Sequence, residues 1–344
     1  MDPEDGEQVG EEAGEVVADE AAGAPIFIPL VVDTGRDGFR LDRFLASRIA
    51  RLSRTRVQQI VAAGRVRRAD TGEVLLRPAQ RLRAGEALIL ERPAPREPPV
   101  VLDYAEVHRD PDLLVLDKPA GLPVHPSARY HRHTLTALMR ERLGAGHGWE
   151  MAHRLDRETS GLLLLGRHGA SASALKRAFF ARAVDKRYWA LCHGCIEGHV
   201  RIDMSLGPAE GSAIRIKMGP RRVGDGGVTA ATQVRPLAHG EFRGRPITLI
   251  EARPETGRQH QIRVHLAELG HPLLGDKLYG VDEAKFLAIV DGGRPLAELE
   301  AELGLARHAL HAVSLELEHP TGGQRVRFTA PWPADLAAIL PAPA

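Results

Sequence analysis

His153-Arg-Leu-Asp-Arg-Glu-Thr-Ser-Gly161, running straight into Leu162-Leu-Leu-Leu165, is the densest group of chemically capable side chains in the sequence. Four successive leucines predict a buried strand, so the polar residues before them are delivered at the lip of an apolar element. A polar loop of this kind has an ordinary use, in which Asp156 and Ser160 cap backbone amides of a turn. It also has a catalytic use, because a carboxylate held at the edge of a core can be given an unusual environment.

Working outward, Leu113 to Leu116 reads as a short apolar strand, Asp117-Lys-Pro-Ala-Gly121 as a turn, and Thr134 as the cap of a helix reaching Leu143. On the other side, Ala170 to Phe180 is amphipathic at helical spacing. Arg187 to Cys192, Val228 to Val234, Ile247 to Ala252, Val313 to Leu317 and Val326 to Thr329 read as strands. Helices and strands that do not alternate regularly predict an α+β architecture with a mixed, largely antiparallel sheet.

The 344 residues suit two domains. Pro93-Ala-Pro-Arg-Glu-Pro-Pro99 can neither continue a helix nor pair as a central strand, so the linker is placed at 94–99, between a small domain at 26–93 and a larger one at 100–344. The formal net charge of +1 conceals a segregation. Residues 1–25 hold nine acidic side chains and no Lys or Arg, which predicts a disordered acidic tail. Between Arg36 and Arg92 there are 14 arginines and no lysines against six acidic residues, a balance of +8 that fits a polyanionic partner. In that segment Leu41, Phe44, Leu45 and Ile49 form one apolar stripe, Ser53 can cap a second helix, and Gly64 can end it before a strand at Val66.

Arg40-Leu-Asp-Arg-Phe-Leu45, Leu52-Ser-Arg-Thr-Arg-Val57 and Ala63-Gly-Arg-Val66 together resemble the RNA-binding S4 domain. The resemblance implies RNA contacts from Arg40, Arg43, Arg54, Arg56 and Arg65. Beyond the linker, His153 to Gly161 is similar, residue for residue, to the signature of the RluA-type pseudouridine synthases. The order of further motifs agrees: Leu116 to Pro126, Lys186-Arg-Tyr-Trp-Ala190, Thr256 to Leu266 with Gly270 to Gly280, and Arg307-His-Ala-Leu-His311 with His319-Pro320.

What this second resemblance implies is specific. Asp156 is the catalytic carboxylate, Arg263 the cation paired with it, and Tyr188 the active-site tyrosine that contacts the base and accepts a proton. Arg154 takes the place of the flipped-out uridine. Apart from the resemblance, Arg258, in the Gly-Arg turn entering a helix, reads as a phosphate contact. An S4 domain ahead of such a catalytic domain implies structured RNA of the large ribosomal subunit as substrate. Val281 to Leu305 departs from the pattern, and its Asp291-Gly-Gly-Arg-Pro-Leu296 segment is expected to be extra length on a surface loop.

Other signals are weaker. Cys192-His-Gly-Cys195 lacks a second cysteine pair for zinc and is expected to be two buried thiols. His125, His131, His133, His260, His265 and His271 come without metal-ligand spacing, so no metal is expected and the histidines are assigned to hydrogen bonding or RNA. With no Gly-rich phosphate loop, no cofactor and no nucleotide partner are expected. No apolar run spans a membrane and the N-terminus is acidic rather than signal-like, which predicts a cytoplasmic protein, acting as a monomer. Two competing functions remain at this stage: a noncatalytic RNA-binding assembly factor on the same fold, and a glycoside hydrolase, for which Glu158 would have to supply the second carboxylate.

Overall fold

The computed structural model describes residues 25–49, 53–92, 97–127, 130–290 and 296–343. The acidic tail, apart from Pro25, and half of the linker, residues 94–96, lie outside the described residues. The chain divides into two compact units between residues 97 and 98.

The smaller unit contains β1 (Ile26–Val31), α1 (Leu41–Arg48), α2 (Arg54–Ala62), β2 (Val66–Arg68) and β3 (Ala87–Arg92). Its three strands form an antiparallel sheet in the order β1-β3-β2. Leu41, Phe44 and Leu45 of α1 pack with Val57 and Val61 of α2 and Leu88 and Leu90 of β3. The Ser53 hydroxyl accepts from the Arg56 amide at 3.2 Å and starts α2. β1 was not expected from the sequence because Pro29 stands in its middle. It is an edge strand, where a missing N–H need not break a ladder.

The larger unit runs β4 (Ala105–Arg109), β5 (Leu113–Lys118), α3 (Leu135–Leu143), β6 (Trp149–Met151), β7 (Ser160–Arg167), α4 (Ala170–Phe180) and β8 (Asp185–His193). It continues through β9 (Val200–Asp203), β10 (Leu206–Pro208), β11 (Met218–Pro220), β12 (Ala231–Phe242), β13 (Arg245–Pro254) and α5 (Gln261–Glu268). It ends with α6 (Glu283–Val290), α7 (Leu296–Leu303), β14 (Leu310–Glu318), β15 (Arg325–Thr329) and α8 (Ala334–Ala337). The main sheet has the order β4-β5-β7-β14-β8-β13-β12-β9, with β6 on β7 and β15 on β14. Only β7 and β14 pair in parallel among the described strands, so the expected mixed, largely antiparallel sheet is present.

The run of four leucines has a simple cause. Leu163 and Leu165 pack with Leu135, Leu138 and Met139 of α3 on one face of the sheet, and Leu162 and Leu164 pack with Leu175 of α4 on the other. A strand covered on both faces needs no polar alternation.

Register places the site. Lys118, Gly161, Ala312, Tyr188 and Ala252 lie side by side across β5, β7, β14, β8 and β13. Gly161 has φ +106°, and a Cβ there would meet the Ala312 carbonyl oxygen at 2.3 Å, so only glycine allows β7 and β14 to approach at this point.

Residues 291–295, which make up nearly all of the expected surface-loop segment, lie outside the described residues, and a helix stands on either side of them. Glu283–Val290 and Leu296–Leu303 are helices, with Ile289 and Leu299 buried. The Glu, Ala, Lys and Leu residues of these two flanks favour helix.

Candidate active site

Asp156 lies in the loop between β6 and β7, with its side chain 20% exposed. No element is expected from the sequence between the helix ending at Leu143 and this loop, but the strand β6 intervenes, at three residues too short to show a period. Asp156 Oδ2 accepts from Arg263 Nη1 at 3.1 Å and lies 3.9 Å from His260 Nε2. The turn-capping alternative is therefore not what its side chain does.

Arg263 comes from α5, whose Ile262 and Leu266 pack against Ala190, Ile250 and Ala252 of the sheet. Residue 263 is thereby turned toward the Asp156 loop and buried. Its other edge is held by Asp276, with Nε to Oδ2 at 2.7 Å and Nη2 to Oδ1 at 3.0 Å. Asp276 Oδ1 also accepts from the Leu278 and Tyr279 amides at 2.9 and 3.1 Å. The turn entering α5 is fixed in turn by Gln261, which accepts from the Arg258 amide and donates to Ala231 O and Thr232 Oγ1. His260 takes a left-handed conformation at φ +54° at this helix start, with Nδ1 2.8 Å from the Tyr279 hydroxyl.

Burial alone would push the Asp156 carboxyl up, but the charges of His260, Arg263 and His308 and the Arg263 hydrogen bond outweigh it and hold it well below the usual carboxylate range. Burial pushes His260 and His308 down to about 4, so near neutral pH Arg263 is the lasting cation. Tyr188, two strands from Gly161, has its phenol raised above its ordinary value by burial and by the negative charge of Asp156. It stays protonated near neutrality.

Two clamps hold the loop from behind. The Lys118 amine, fully buried and pushed down to about 7 chiefly by that burial, donates to Pro119 O, Leu122 O and Arg157 O at 2.8, 3.0 and 3.1 Å. Glu158 accepts from Lys277 Nζ at 2.9 Å, the His308 amide at 3.1 Å and Arg157 Nη2 at 2.8 Å. One carboxylate thus remains open at the lip while the neighbouring one is consumed in holding the loop.

Residues 112–268 match the RNA pseudouridylate synthase family. The chain is 35% identical over 317 residues to the ribosomal large subunit pseudouridine synthase D of Zymomonas mobilis, covering 88% of this chain and 93% of that protein. It is 36% identical over 325 residues to the protein of that name from Xanthomonas campestris, covering 91% of each. The chain belongs to the RNA pseudouridylate synthase family. Human RNA pseudouridylate synthase domain containing 1 has the same fold, with a TM-score of 0.53, 30% identity, and coverage of 68% of this chain and 86% of that one. A pseudouridine synthase is an isomerase, and neither a noncatalytic factor nor a glycoside hydrolase is favoured beside it.

Within this pseudouridine synthase the structure brings together Asp156, Arg263 and Tyr188. Arg154 is exposed, and His125 is lowered first by its own burial and then by the Arg154 charge. Arg258 is also exposed, with Nε 3.3 Å from Thr229 O. In the smaller unit, Arg40 holds buried Asp42 with bonds of 3.1 and 2.9 Å, Arg43 lies over the Phe39 ring, and Arg54 is the first residue of α2. Arg56 is exposed and Arg65 half-buried. Sequence reasoning missed Asp276, Lys118 and the locking role of Glu158. The available signal for Asp276 was an Asp-Lys pair set in the otherwise apolar run Leu273 to Leu278.

The cysteine expectation needs correction: Cys192 is buried, its thiol pushed up to about 12 chiefly by burial, but Cys195 is exposed beyond the end of β8. His265 is bonded to Thr232 Oγ1 and Met204 O, and His271 to His193 O, in keeping with structural roles. Among the described residues no helix is long and apolar enough to cross a membrane.

Proposed function

We propose that this chain converts uridines of large-subunit ribosomal RNA to pseudouridine, with Asp156 as the catalytic carboxylate. The observation that carries the assignment is the half-buried Asp156 paired with buried Arg263. The reaction breaks the C1′–N1 bond and makes a C1′–C5 bond with no atom gained or lost, so it needs neither redox chemistry nor a cofactor. Asp156 can attack C1′ as a nucleophile or remove a proton from the sugar, and both routes require it ionised near neutral pH. Arg263 supplies that condition.

Tyr188, protonated beside Asp156, suits contact with the uracil ring; of its two expected roles, proton acceptor is the less favoured at rest. The target must leave its stack first, at a cost of a few kcal/mol. Exposed Arg154, with a flat guanidinium at the lip of the site, suits the vacated place, and Arg258 suits a phosphate. The smaller unit, with its excess of arginine, is assigned as an S4-like RNA grip, and the protein as a cytoplasmic monomer. The names of its bacterial relatives support the substrate.

The test is carbodiimide mapping of pseudouridine in large-subunit ribosomal RNA incubated with wild type or Asp156→Asn, without added metal. Sites formed by wild type alone are expected, with RNA affinity of the variant within about twofold, since the amide keeps the shape and loses the charge. Modification by Asp156→Asn at the wild-type rate would remove the role from this residue.

A further inference from the structure

We infer that Phe180, flanked by Arg177 and Arg182, is a stacking platform for an unpaired nucleotide next to the target uridine. This rests on the RNA-modifying function proposed above. A single exposed apolar side chain is ordinary on a protein surface, but three independent observations meet at this one.

Phe180 is 91% exposed at the last position of α4, the most exposed of the large hydrophobic side chains described. Arg182 then takes a left-handed backbone at φ +60°, fixed by bonds from its amide to Phe179 O and from the Ala183 amide to Ala178 O, at 3.1 and 2.9 Å. Glycine normally occupies such a helix end, so a side chain is kept here against backbone strain.

The guanidinium groups of Arg177 and Arg182 form no hydrogen bond or ion pair among the described residues. The neighbouring acids are already engaged: Glu255, which feels the Arg182 charge, is bound by Arg201 at 3.0 and 2.9 Å, and Asp185 by Arg253 at 2.7 Å. Two unneutralised cations thus flank one aromatic face, the combination that single-stranded nucleic acid recognises through phosphate attraction and base stacking.

The place is right as well. Phe179, the preceding residue, stacks on His153 with ring centroids 4.4 Å apart. His153 is three residues from Asp156, a span of at most about 10 Å. Lys186 and Tyr188, alternating residues of β8, share one face of the strand that follows. The end of α4 therefore borders the loop that carries Arg154 and Asp156.

The test uses the full chain and large-subunit ribosomal RNA transcript. Phe180→Ala should weaken binding at least fivefold and lower kcat/KM in proportion, with the melting temperature unchanged. Phe180→Trp should restore affinity, and its emission should change on RNA addition relative to wild type with its native tryptophans. Arg182→Gly, which relieves the backbone, should melt no lower than wild type and still bind RNA more weakly. Three results would each overturn the inference: unaltered affinity of Phe180→Ala, emission of Phe180→Trp that responds to saturating RNA no differently from wild type, or an effect on self-association instead of RNA binding. If wild type binds RNA yet forms no pseudouridine, the proposed reaction falls while the emission change still decides the platform.

Discussion

Asp276 is wholly buried and charged, a combination that is costly unless a partner is fixed in place. Burial pushes its carboxyl up, but the charge and twin hydrogen bonds of Arg263 overcome this and hold it low. The consequence reaches Asp156, because a guanidinium pinned along one edge offers its remaining Nη1 in a single direction. Asp276 is thus a positioning residue. Asp276→Asn keeps the volume, loses the charge and leaves Arg263 with one carboxylate fewer. Turnover is expected to fall tenfold or more with RNA affinity unchanged, alongside a stability loss of about 3 kcal/mol. Single-turnover rates and filter binding measured on one preparation check the split, and an unchanged rate would show that Arg263 needs no second anchor. Asp156 was legible in the sequence because its neighbours form a long motif. Asp276 was not legible as an anchor, since its partner lies 13 residues away across a turn whose path only the fold reveals.

At the scale of elements, legibility followed period and punctuation. α4 was read with its observed bounds because its apolar stripe is continuous, and α2 because Ser53 caps it. β1 was hidden by Pro29, β6 by its three-residue length, and α6 and α7 by the Gly-Gly-Arg-Pro segment between them. The basic helices carry a further distinction that composition could not supply. Arg40 is occupied by fully buried Asp42, so removing it would take a cation from a buried carboxylate that keeps its bond from the Arg43 amide. Arg43, Arg56 and Arg65 hold no acidic side chain among the described residues. Replacing these three with Gln should leave folding intact and flatten the dependence of log K on log salt by up to about 3, near one unit per lost phosphate contact. Binding titrations between low and moderate salt measure that slope; one equal to wild type would take the RNA grip away from α1 and α2.

The molecule as a whole is nearly neutral, at +1, so its response to pH is governed by buried groups rather than by net charge. His260, His308 and His311 are buried and pushed down to about 4, each chiefly by that burial. Between pH 6.5 and about 4 the folded histidines stay neutral while the unfolded chain takes up protons, so stability falls as pH falls through this window, by on the order of 3 kcal/mol for each histidine. The contributions of His260 and His308 are coupled through Arg263 and do not simply add. Glu158, lowered to about 2 against its burial by the charges of His308, Lys277 and Arg157, gives up its contribution further down, as pH falls from its ordinary range to about 2. Lys118 works at the other end: its amine is neutral in the fold above about pH 7 while the unfolded amine keeps its proton to about 10.5, so stability rises with pH across that interval. The melting temperature is therefore expected to be highest on the alkaline side of neutrality and to drop by roughly 5 °C or more between pH 8 and pH 5. Thermal melts at constant ionic strength check this, and a maximum near pH 5 would mean that these histidines are charged in the fold, which would also reassign the cation that keeps Asp156 ionised.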